Sequence, residues 1–278
     1  MKNIKTWLIT GVAGGLGRAL LEEVCKNGDT AYGTVRNANQ VEEINAIAPG
    51  KSFGILMDLH DPAAILNAVK IACGVNNKLD VLVNNAGFGY FGSIEEASME
   101  EARDQMETNF FGALAMTKAV IPIFRKQQSG HLLQISSSAG FRATAGFGIY
   151  NASKFALEGF SEALAQEMAP FNVRVTLVEP GPFRTSFAGG SSKSTALQMD
   201  EYEATAGTFR KAMNARNGNQ PGDPSKAAKV MIAAVNSNHP PLRLPLGKPA
   251  FDAIRGKMKS VEQDLEIWEE MGTNTDFE

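Results

Sequence analysis

The sequence is poor in the residues that build metal sites and disulfides. Its two cysteines, Cys25 and Cys73, form no C-x-x-C pair, and both lie in segments with helical periodicity. The three histidines, His60, His131 and His239, are scattered without the spacing of a metal-ligand motif. We therefore expect neither a disulfide nor a bound metal.

Long apolar runs and strong net charge are also lacking. No apolar stretch approaches the roughly 20 residues of a membrane span, and the N-terminus enters a strand pattern at once, without a signal-peptide layout. The formal net charge of the 278 residues is -3, with no basic block to attract nucleic acid or an anionic membrane. These absences favour a cytoplasmic protein whose partner is a small, neutral or weakly polar molecule.

What the sequence does contain is an alternation of short apolar runs with segments of helical periodicity. The apolar runs, predicted as strands, are bounded by turn residues and lie at 4–10, 30–35, 53–57, 79–83, 131–136 and 173–178. Apolar strands separated by helices are typical of β-α-β units around a buried parallel sheet. The predicted fold class is therefore α/β, in a single domain over residues 1–278.

Capping signals mark three helix starts. An aspartate followed by a proline, at 61–62 and again at 223–224, matches an N-cap with proline in the first turn. Ser98 and Glu101 have the spacing of a capping box, and one long helix is predicted from there toward Gln127.

The composition changes twice toward the C-terminus. The segment 186–220 is rich in small and polar residues with scattered large apolar ones, and we interpret it as a mobile amphipathic lid. The run at 242–246 contains a proline, which predicts a last edge strand. The extension 247–278 contains a charged amphipathic helix, predicted over 251–271.

A glycine-rich turn, residues 10–17, joins the first predicted strand to a helix. Gly11, Gly15 and Gly17, with Leu16 between the last two, let the backbone turn tightly and bring its amides close to a pyrophosphate. The spacing is G-x-x-x-G-x-G rather than G-x-G-x-x-G. It indicates a dinucleotide site, and a glycine-rich turn without a ligand is the alternative.

The residue after the second predicted strand bears on which dinucleotide binds. At this place an NAD enzyme offers a carboxylate to the ribose hydroxyls, whereas this chain has Arg36. A guanidinium can form charge-assisted hydrogen bonds with a 2′-phosphate, so NADP(H) is favoured over NAD(H). The alternative is a solvated surface arginine.

Tyr150 and Lys154 are the strongest candidates for acid-base chemistry. They lie four residues apart on a predicted helix, hence on one face. The phenol of a free tyrosine has a pKa of about 10. A lysine charge at ~4 Å, with an effective dielectric of ~20, favours ionisation of that phenol by roughly 4 kcal/mol. Ser137 follows a predicted strand, at the carboxyl edge of the sheet, where it can polarise a substrate oxygen.

These features together resemble the short-chain dehydrogenase/reductase family. The resemblance spans residues 5–185 and rests on the turn at 10–17, Asn-Asn-Ala-Gly at 84–87, Asn109, Ser137, Tyr150 with Lys154, and Pro180-Gly181. It implies a Rossmann-like, doubly wound sheet of seven mainly parallel strands with helices on both faces. It also implies an NAD(P)(H)-dependent oxidoreductase that interconverts a carbonyl and an alcohol.

The resemblance implies roles for individual residues. Tyr150 would be the general acid/base, and Lys154 its activator and a ribose ligand. Ser137 would orient the carbonyl, and Asn109 would hold the water of a proton relay. The implied cofactor contacts are Gly11, Gly15, Leu16, Gly17, Arg36, Asp58, Leu59, Asn85, Ala86, Gly87, Tyr150, Lys154, Pro180, Gly181 and Thr185.

Within that set, Asp58 and Leu59 match a pair that contacts the adenine, and Thr185 matches a contact to the carboxamide. The chain departs from many relatives at Ala13 and Gly14, where they carry serines or a basic residue. The prediction of NADP(H) therefore rests on Arg36.

The C-terminal extension is similar to that of the subgroup acting on steroids, retinoids and other apolar carbonyls. We accordingly predict an apolar substrate pocket lined by Ser137, Phe141, Phe147 and Phe183. A homodimer is an assembly compatible with the resemblance. Two alternatives remain: a catalytically idle dinucleotide-binding sensor or scaffold, and an NAD-dependent alcohol dehydrogenase of the same family.

Overall fold

A computed structural model describes residues 4–277, and its centre is a seven-stranded parallel sheet. Its strands are β1 (Thr6–Ile9), β2 (Thr30–Val35), β3 (Ser52–Leu56), β4 (Val81–Asn84), β6 (Gly130–Ile135), β7 (Val173–Pro180) and β9 (Arg243–Leu246). They run in the order β3-β2-β1-β4-β6-β7-β9. Two short strands, β5 (Tyr90–Phe91) and β8 (Lys193–Ser194), pair with each other outside this sheet. The predicted α/β class with a parallel, Rossmann-like sheet is confirmed.

Helices cover both faces of the sheet. They are α1 (Gly15–Lys26), α2 (Ala38–Ile47), α3 (Pro62–Cys73), α4 (Met99–Met106), α5 (Gly112–Gln127), α6 (Gly148–Met168), α7 (Thr208–Arg216), α8 (Pro224–Asn236) and α9 (Lys248–Thr273). Side chains of α1, α2 and α8 build the core on one face, and those of α3, α5 and α6 build the core on the other. No helix among residues 4–277 is long and apolar enough to cross a membrane.

Alternation along the central strands explains the two cores. In β1, Trp7 and Ile9 enter the core beside α1 and α8, whereas Leu8 enters the core beside α3 and α5. Successive side chains of a strand point to opposite faces, so a strand buried on both faces is apolar throughout. Strand β1 pairs with β2 on one side and β4 on the other. The strand order reverses there, which opens a crevice at the carboxyl ends of the strands.

The structure contains the predicted helix caps. The carboxylate of Asp61 accepts the Ala63 amide at 2.8 Å, and that of Asp223 caps α8 in the same way. Ser98 and Glu101 form a capping box at the start of α4.

The single long helix predicted toward Gln127 is wrong in one respect. A π-helical turn, Glu107–Phe111, separates α4 from α5. This turn contains Asn109, whose buried side chain is held by partners outside the helix. A π turn adds a residue to the helical repeat and so changes the direction of a side chain, often at functional sites.

The C-terminal elements agree with the predicted strand and helix. Strand β9 lies at the edge of the sheet and pairs in parallel with β7. Helix α9 begins earlier and ends later than the predicted helix. The segment predicted as a lid contains β8, short 3-10 and π turns, and α7.

Candidate active site

The glycine-rich turn is fixed tightly to the end of β4. The side-chain amide nitrogen of Asn85, Nδ2, donates to the carbonyls of Thr10 at 2.8 Å and Gly11 at 3.0 Å. Gly11 has a φ of +70°, and a Cβ on it would come within 2.9 Å of the Ala86 Cα, while a Cβ on Gly17 would overlap the Asn85 amide. Glycine is needed at both positions because neighbouring atoms occupy the space of a side chain.

The first turn of α1 is available to a ligand. Gly14 occupies its N-cap position and supplies no side-chain hydrogen bond, unlike the caps of α3, α4 and α8. The leading amides of a helix need an acceptor, and phosphate oxygens serve as one. Thr185 and Ser186 lie over this turn, with side-chain atoms 3.5 Å from the places of Cβ atoms on Gly15 and Gly14. The geometry forms an anion cradle between the turn and the segment after β7.

The remaining predicted cofactor residues lie at the same edge of the sheet. Arg36 follows β2, is exposed, and forms no hydrogen bond or ion pair with another residue of the range 4–277. Asp58 follows β3 and is exposed, with its carboxylate accepting the His60 amide at 3.0 Å. Leu59 packs near Gly112 at the start of α5. Gly181 donates its amide to β9.

Tyr150 lies in the first turn of α6 and is almost completely buried. Its ring stacks on Phe147 with centroids 4.1 Å apart, and the ring of Phe187 meets it edge-on at 5.6 Å. Burial raises the pKa of the phenol well above its usual range, and a hydrogen bond with Ser137 only partly opposes this shift. In the protein alone, Tyr150 is therefore a protonated acid at neutral pH.

Lys154 lies one turn further along α6. Its Nζ donates to the Ile135 carbonyl at 2.8 Å and is 5.7 Å from the centre of the Tyr150 ring. Burial lowers the pKa of the amine to about 8, against the opposing charge of Glu158. The lysine is thus mainly an ammonium at pH 7, and it loses its proton at a lower pH than a free lysine.

Asn109 and Ser137 complete the polar part of the site. The side-chain amide nitrogen of Asn109 donates to the Phe88 carbonyl at 2.9 Å and to the Ser153 hydroxyl at 3.0 Å. Its side chain also lies next to Gly87, close to the Lys154 ammonium. The Ser137 hydroxyl accepts the Ala139 amide at 3.1 Å. Helix α6, the π turn and the end of β6 thus bring together the four polar residues predicted as catalytic.

The predicted substrate-pocket phenylalanines separate into different surroundings. Phe147 lies against Tyr150 in an aromatic cluster, whose other members are Phe91, Phe187 and Phe209. Phe141 instead lies under the guanidinium of Arg243, 5.0 Å from its carbon. Phe183 packs against the core beside α1 and α8, next to Gly222.

Sequence reasoning missed a charged cluster behind Lys154. Arg243 of β9 forms ion pairs with Glu158 and Glu162 of α6 and with Glu179 of β7. Burial raises the pKa of Glu158, against hydrogen bonds from Ser136 and Arg243. One signal was present in the sequence: Glu158 follows Lys154 by four residues, the spacing of side chains on one helix face.

Comparisons with known proteins give the same architecture. The solved structure of a short-chain dehydrogenase from Streptomyces avermitilis superposes with a TM-score of 0.92 at 38% identity, covering 99% of this chain and 100% of that one. Two more distant structures share the fold. A short chain dehydrogenase/reductase from Burkholderia phymatum in complex with NAD has 20% identity and a TM-score of 0.82, covering 94% of this chain and 95% of that one. An alcohol dehydrogenase from Thermococcus sibiricus complexed with 5-hydroxy-NADP has 22% identity and a TM-score of 0.72, covering 88% of this chain and 96% of that one. Structural neighbours thus bind either NAD or an NADP derivative.

Characterised relatives match along most of the chain. A 3-ketodihydrosphingosine reductase from Bacteroides thetaiotaomicron is 37% identical, covering 91% of each chain, and retinol dehydrogenase 8 from Bos taurus is 32% identical, covering 86% of this chain and 80% of its own. A family model described as short chain dehydrogenase matches residues 5–196, more than half of the sequence. The chain therefore belongs to the short-chain dehydrogenase family of oxidoreductases.

Proposed function

We propose that the protein is a cytoplasmic, NADP(H)-dependent oxidoreductase that interconverts a carbonyl and an alcohol on a small apolar substrate. The observation that carries this proposal is the buried pair of Tyr150 and Lys154, with the half-buried Ser137, beside the anion cradle of α1. An acid, a hydrogen-bond donor and a cation next to a dinucleotide site are the parts needed for hydride transfer coupled to proton transfer.

The proton steps fall to three side chains. A bound nicotinamide supplies or accepts the hydride. During reduction, the Tyr150 phenol donates its proton to the carbonyl oxygen, which the Ser137 hydroxyl holds by a hydrogen bond. The resulting phenolate is stabilised by the Lys154 ammonium, and Asn109 positions the solvent that returns the proton. Since burial keeps the phenol protonated, the resting site is prepared for reduction.

The choice of cofactor rests on Arg36 and the cradle. The uncapped first turn of α1 fits a pyrophosphate, and the exposed Arg36, unpaired among residues 4–277, fits an additional phosphate on the adjoining ribose. The end of β2 carries no carboxylate that would repel that phosphate. These features support NADP(H) over NAD(H).

The apolar substrate is supported by the surroundings of Tyr150. Its ring is enclosed by the aromatic cluster of Phe91, Phe147, Phe187 and Phe209, so a substrate that reaches the phenol contacts aromatic surface. Phe187 belongs to the segment proposed as a lid, and its displacement would open a path to the phenol. The relatives named as ketodihydrosphingosine and retinol enzymes agree with a long apolar substrate.

Cofactor binding tests the first half of this proposal. Purified protein is titrated with NADPH and with NADH, following the nicotinamide fluorescence. We expect tighter binding of NADPH, and Arg36→Ala should weaken it by roughly 10- to 100-fold, the worth of a hydrogen bond to a charged group. Arg174→Ala is the matched control, because this exposed arginine lies at the amino end of β7, away from the cradle. Equal or tighter NADH binding contradicts the role of Arg36 and favours the NAD-dependent alternative.

Turnover tests the second half. Long-chain apolar ketones and aldehydes are offered with the preferred cofactor, and Tyr150→Phe should abolish reduction while cofactor binding is retained. Tight binding without turnover of any carbonyl by the wild-type protein would favour the alternative, a dinucleotide-binding sensor.

A further inference from the structure

Helix α9 extends from the body of the protein with little support. It contains 26 residues, a length of about 39 Å at 1.5 Å per residue. Ala250 at its start is buried, but every residue from Arg255 to Thr273 is exposed. An isolated exposed helix with large apolar side chains marks a surface that binds another molecule.

The apolar side chains of α9 follow a heptad repeat. The spacing alternates between three and four residues, which places them in one seam, as at the a and d positions of a coiled coil. We call this set the α9 seam: Phe251, Met258 and Leu265 at a positions, and Ile254, Val261 and Trp268 at d positions. Its members other than the half-buried Ile254 are between 40% and 60% exposed.

The body of the protein lies on another side of α9. A cavity of about 540 Å³ separates the helix from the loop at Arg142, and its helix-side walls are Asp252, Ala253, Gly256, Lys257 and Ser260. Four of these five residues are at b, c or f positions of the heptads, which point away from the a and d seam, and Lys257 is at a g position that flanks it. The α9 seam therefore faces outward along most of its length, where a second molecule can reach it.

Charge is segregated along the helix. The flanking e and g positions are basic in the first half, at Arg255 and Lys257, and acidic in the second half, at Glu262, Asp264 and Glu269. A helix with opposite charges at its two ends is complementary to a second copy of itself when the two run antiparallel.

We propose that α9 pairs with α9 of a second copy of this chain, in an antiparallel two-fold coiled coil that makes the protein a homodimer. The seam has a register that fits this arrangement. With the two-fold axis between Lys259 and Ser260, a positions meet d positions throughout. The layers are Phe251 with Trp268, Ile254 with Leu265, and Met258 with Val261 of the other copy.

The same register matches the flanking charges. Antiparallel helices place e opposite e and g opposite g, so Arg255 faces Glu262 of the other copy and Lys257 faces its Asp264. Both pairs are attractive, and two-fold symmetry repeats them. In a parallel pair, g lies near e of the next heptad, which sets Lys257 near Glu262 but also sets Asp264 against Glu269. One attractive contact is then offset by one repulsive contact, whereas both contacts of the antiparallel pair are attractive.

Sedimentation of the full chain over a range of micromolar concentrations tests the proposal. We expect a dimer for the wild-type protein, weakened by added salt. Val261→Glu should give monomers, because it places a charge in the central layer. The exposed Ile267→Glu is the matched control, since position c lies outside the seam and the dimer should persist. A circular dichroism spectrum of each variant reports whether the fold is kept.

Charge reversal identifies the pairing. Arg255→Glu with Lys257→Glu gives one variant, and Glu262→Lys with Asp264→Lys gives another. Each should be monomeric alone, and mixing the two should restore a dimer. Oxidation of Met258→Cys mixed with Val261→Cys should give a mixed disulfide if the helices are antiparallel, whereas self-linked dimers of each variant would indicate a parallel pair and contradict the proposal.

Other outcomes overturn the proposal. A wild-type protein that stays monomeric at every concentration contradicts it, as does a dimer that survives Val261→Glu. Cosedimentation with neutral phospholipid vesicles, lost in Val261→Glu and without self-association, would assign the α9 seam to a membrane surface instead.

Discussion

Replacing Glu158 by glutamine should change the pH dependence of turnover through Lys154. The carboxylate opposes the lowering of the Lys154 pKa, which burial brings to about 8. Side chains four residues apart on a helix are about 6 Å apart, so with an effective dielectric of about 20 the pair is worth roughly 3 kcal/mol, or about two pKa units. Arg243, bound to the same carboxylate, offsets part of this effect. We expect the Lys154 pKa to fall by roughly one unit in Glu158→Gln.

The assay is the pH profile of the reduction, measured in a single turnover with saturating cofactor. Above the pKa of Lys154, loss of its proton removes the charge that stabilises the Tyr150 phenolate in the proposed mechanism. The rate of reduction should therefore fall on the alkaline side of the profile. In Glu158→Gln this decline should start about one pH unit lower than in the wild type, while cofactor binding at low pH is unchanged.

Glu162→Gln is the matched control. Glu162 also forms an ion pair with Arg243, but its side chain is 46% exposed and it lies two helical turns from Lys154. Its removal should leave the alkaline limb in place. If Glu158→Gln and Glu162→Gln have the same profile as the wild type, Glu158 does not act on Lys154, and the argument fails.

Three further predictions concern stability and binding. Burial lowers the pKa of His131 to about 4, so as the pH falls from 6.5 toward 4 the unfolded chain takes up a proton before the folded protein does. The free energy of unfolding should therefore fall by up to about 3 kcal/mol over this range, and urea unfolding of His131→Gln should show a flatter pH dependence. Gly17→Ala displaces the Asn85 amide, so calorimetry should show cofactor binding weakened at least 10-fold, or about 1.4 kcal/mol. Although burial opposes ionisation of Glu96, hydrogen bonds led by Arg210 lower its pKa to about 2. Glu96→Gln leaves the Arg210 guanidinium buried without a charged partner, at a cost of about 3–5 kcal/mol, so limited proteolysis should cut the segment 186–220, which we propose as a lid, faster.

The parts of the fold that depend on local pattern could be predicted from the sequence. The strands were identifiable because both faces of the sheet are buried, which makes each strand a continuous apolar run. The starts of α3 and α8 followed from an aspartate cap before a proline. The glycine turn is a local feature as well, since its function depends on a backbone path that side chains would block.

Features that depend on the packing of distant elements could not be predicted. The π turn around Asn109 interrupts a helix whose apolar pattern is continuous in the sequence. Phe141 packs against the guanidinium of Arg243, and the two residues are neighbours because β9 pairs with β7. The size of the burial effect depends on packing as well: a buried tyrosine is expected to have a raised pKa, but only the structure shows that burial has the larger effect on the pKa of both Tyr150 and Lys154.

Burial also explains why the two halves of the site are built differently. The cradle of α1 is built from glycines and from hydrogen bonds that the Asn85 side chain donates to backbone carbonyls, which suits the charged group that we propose it binds. The half that we propose for proton transfer lies along one face of α6, where Tyr150, Lys154, Glu158 and Glu162 follow one another at four-residue intervals. This line runs from a buried neutral phenol to an exposed carboxylate, with Arg243 at its far end. In the proposed mechanism, the charge on Lys154 therefore depends on Glu158 and Arg243, so that β9 supports the site as well as forming the edge of the sheet.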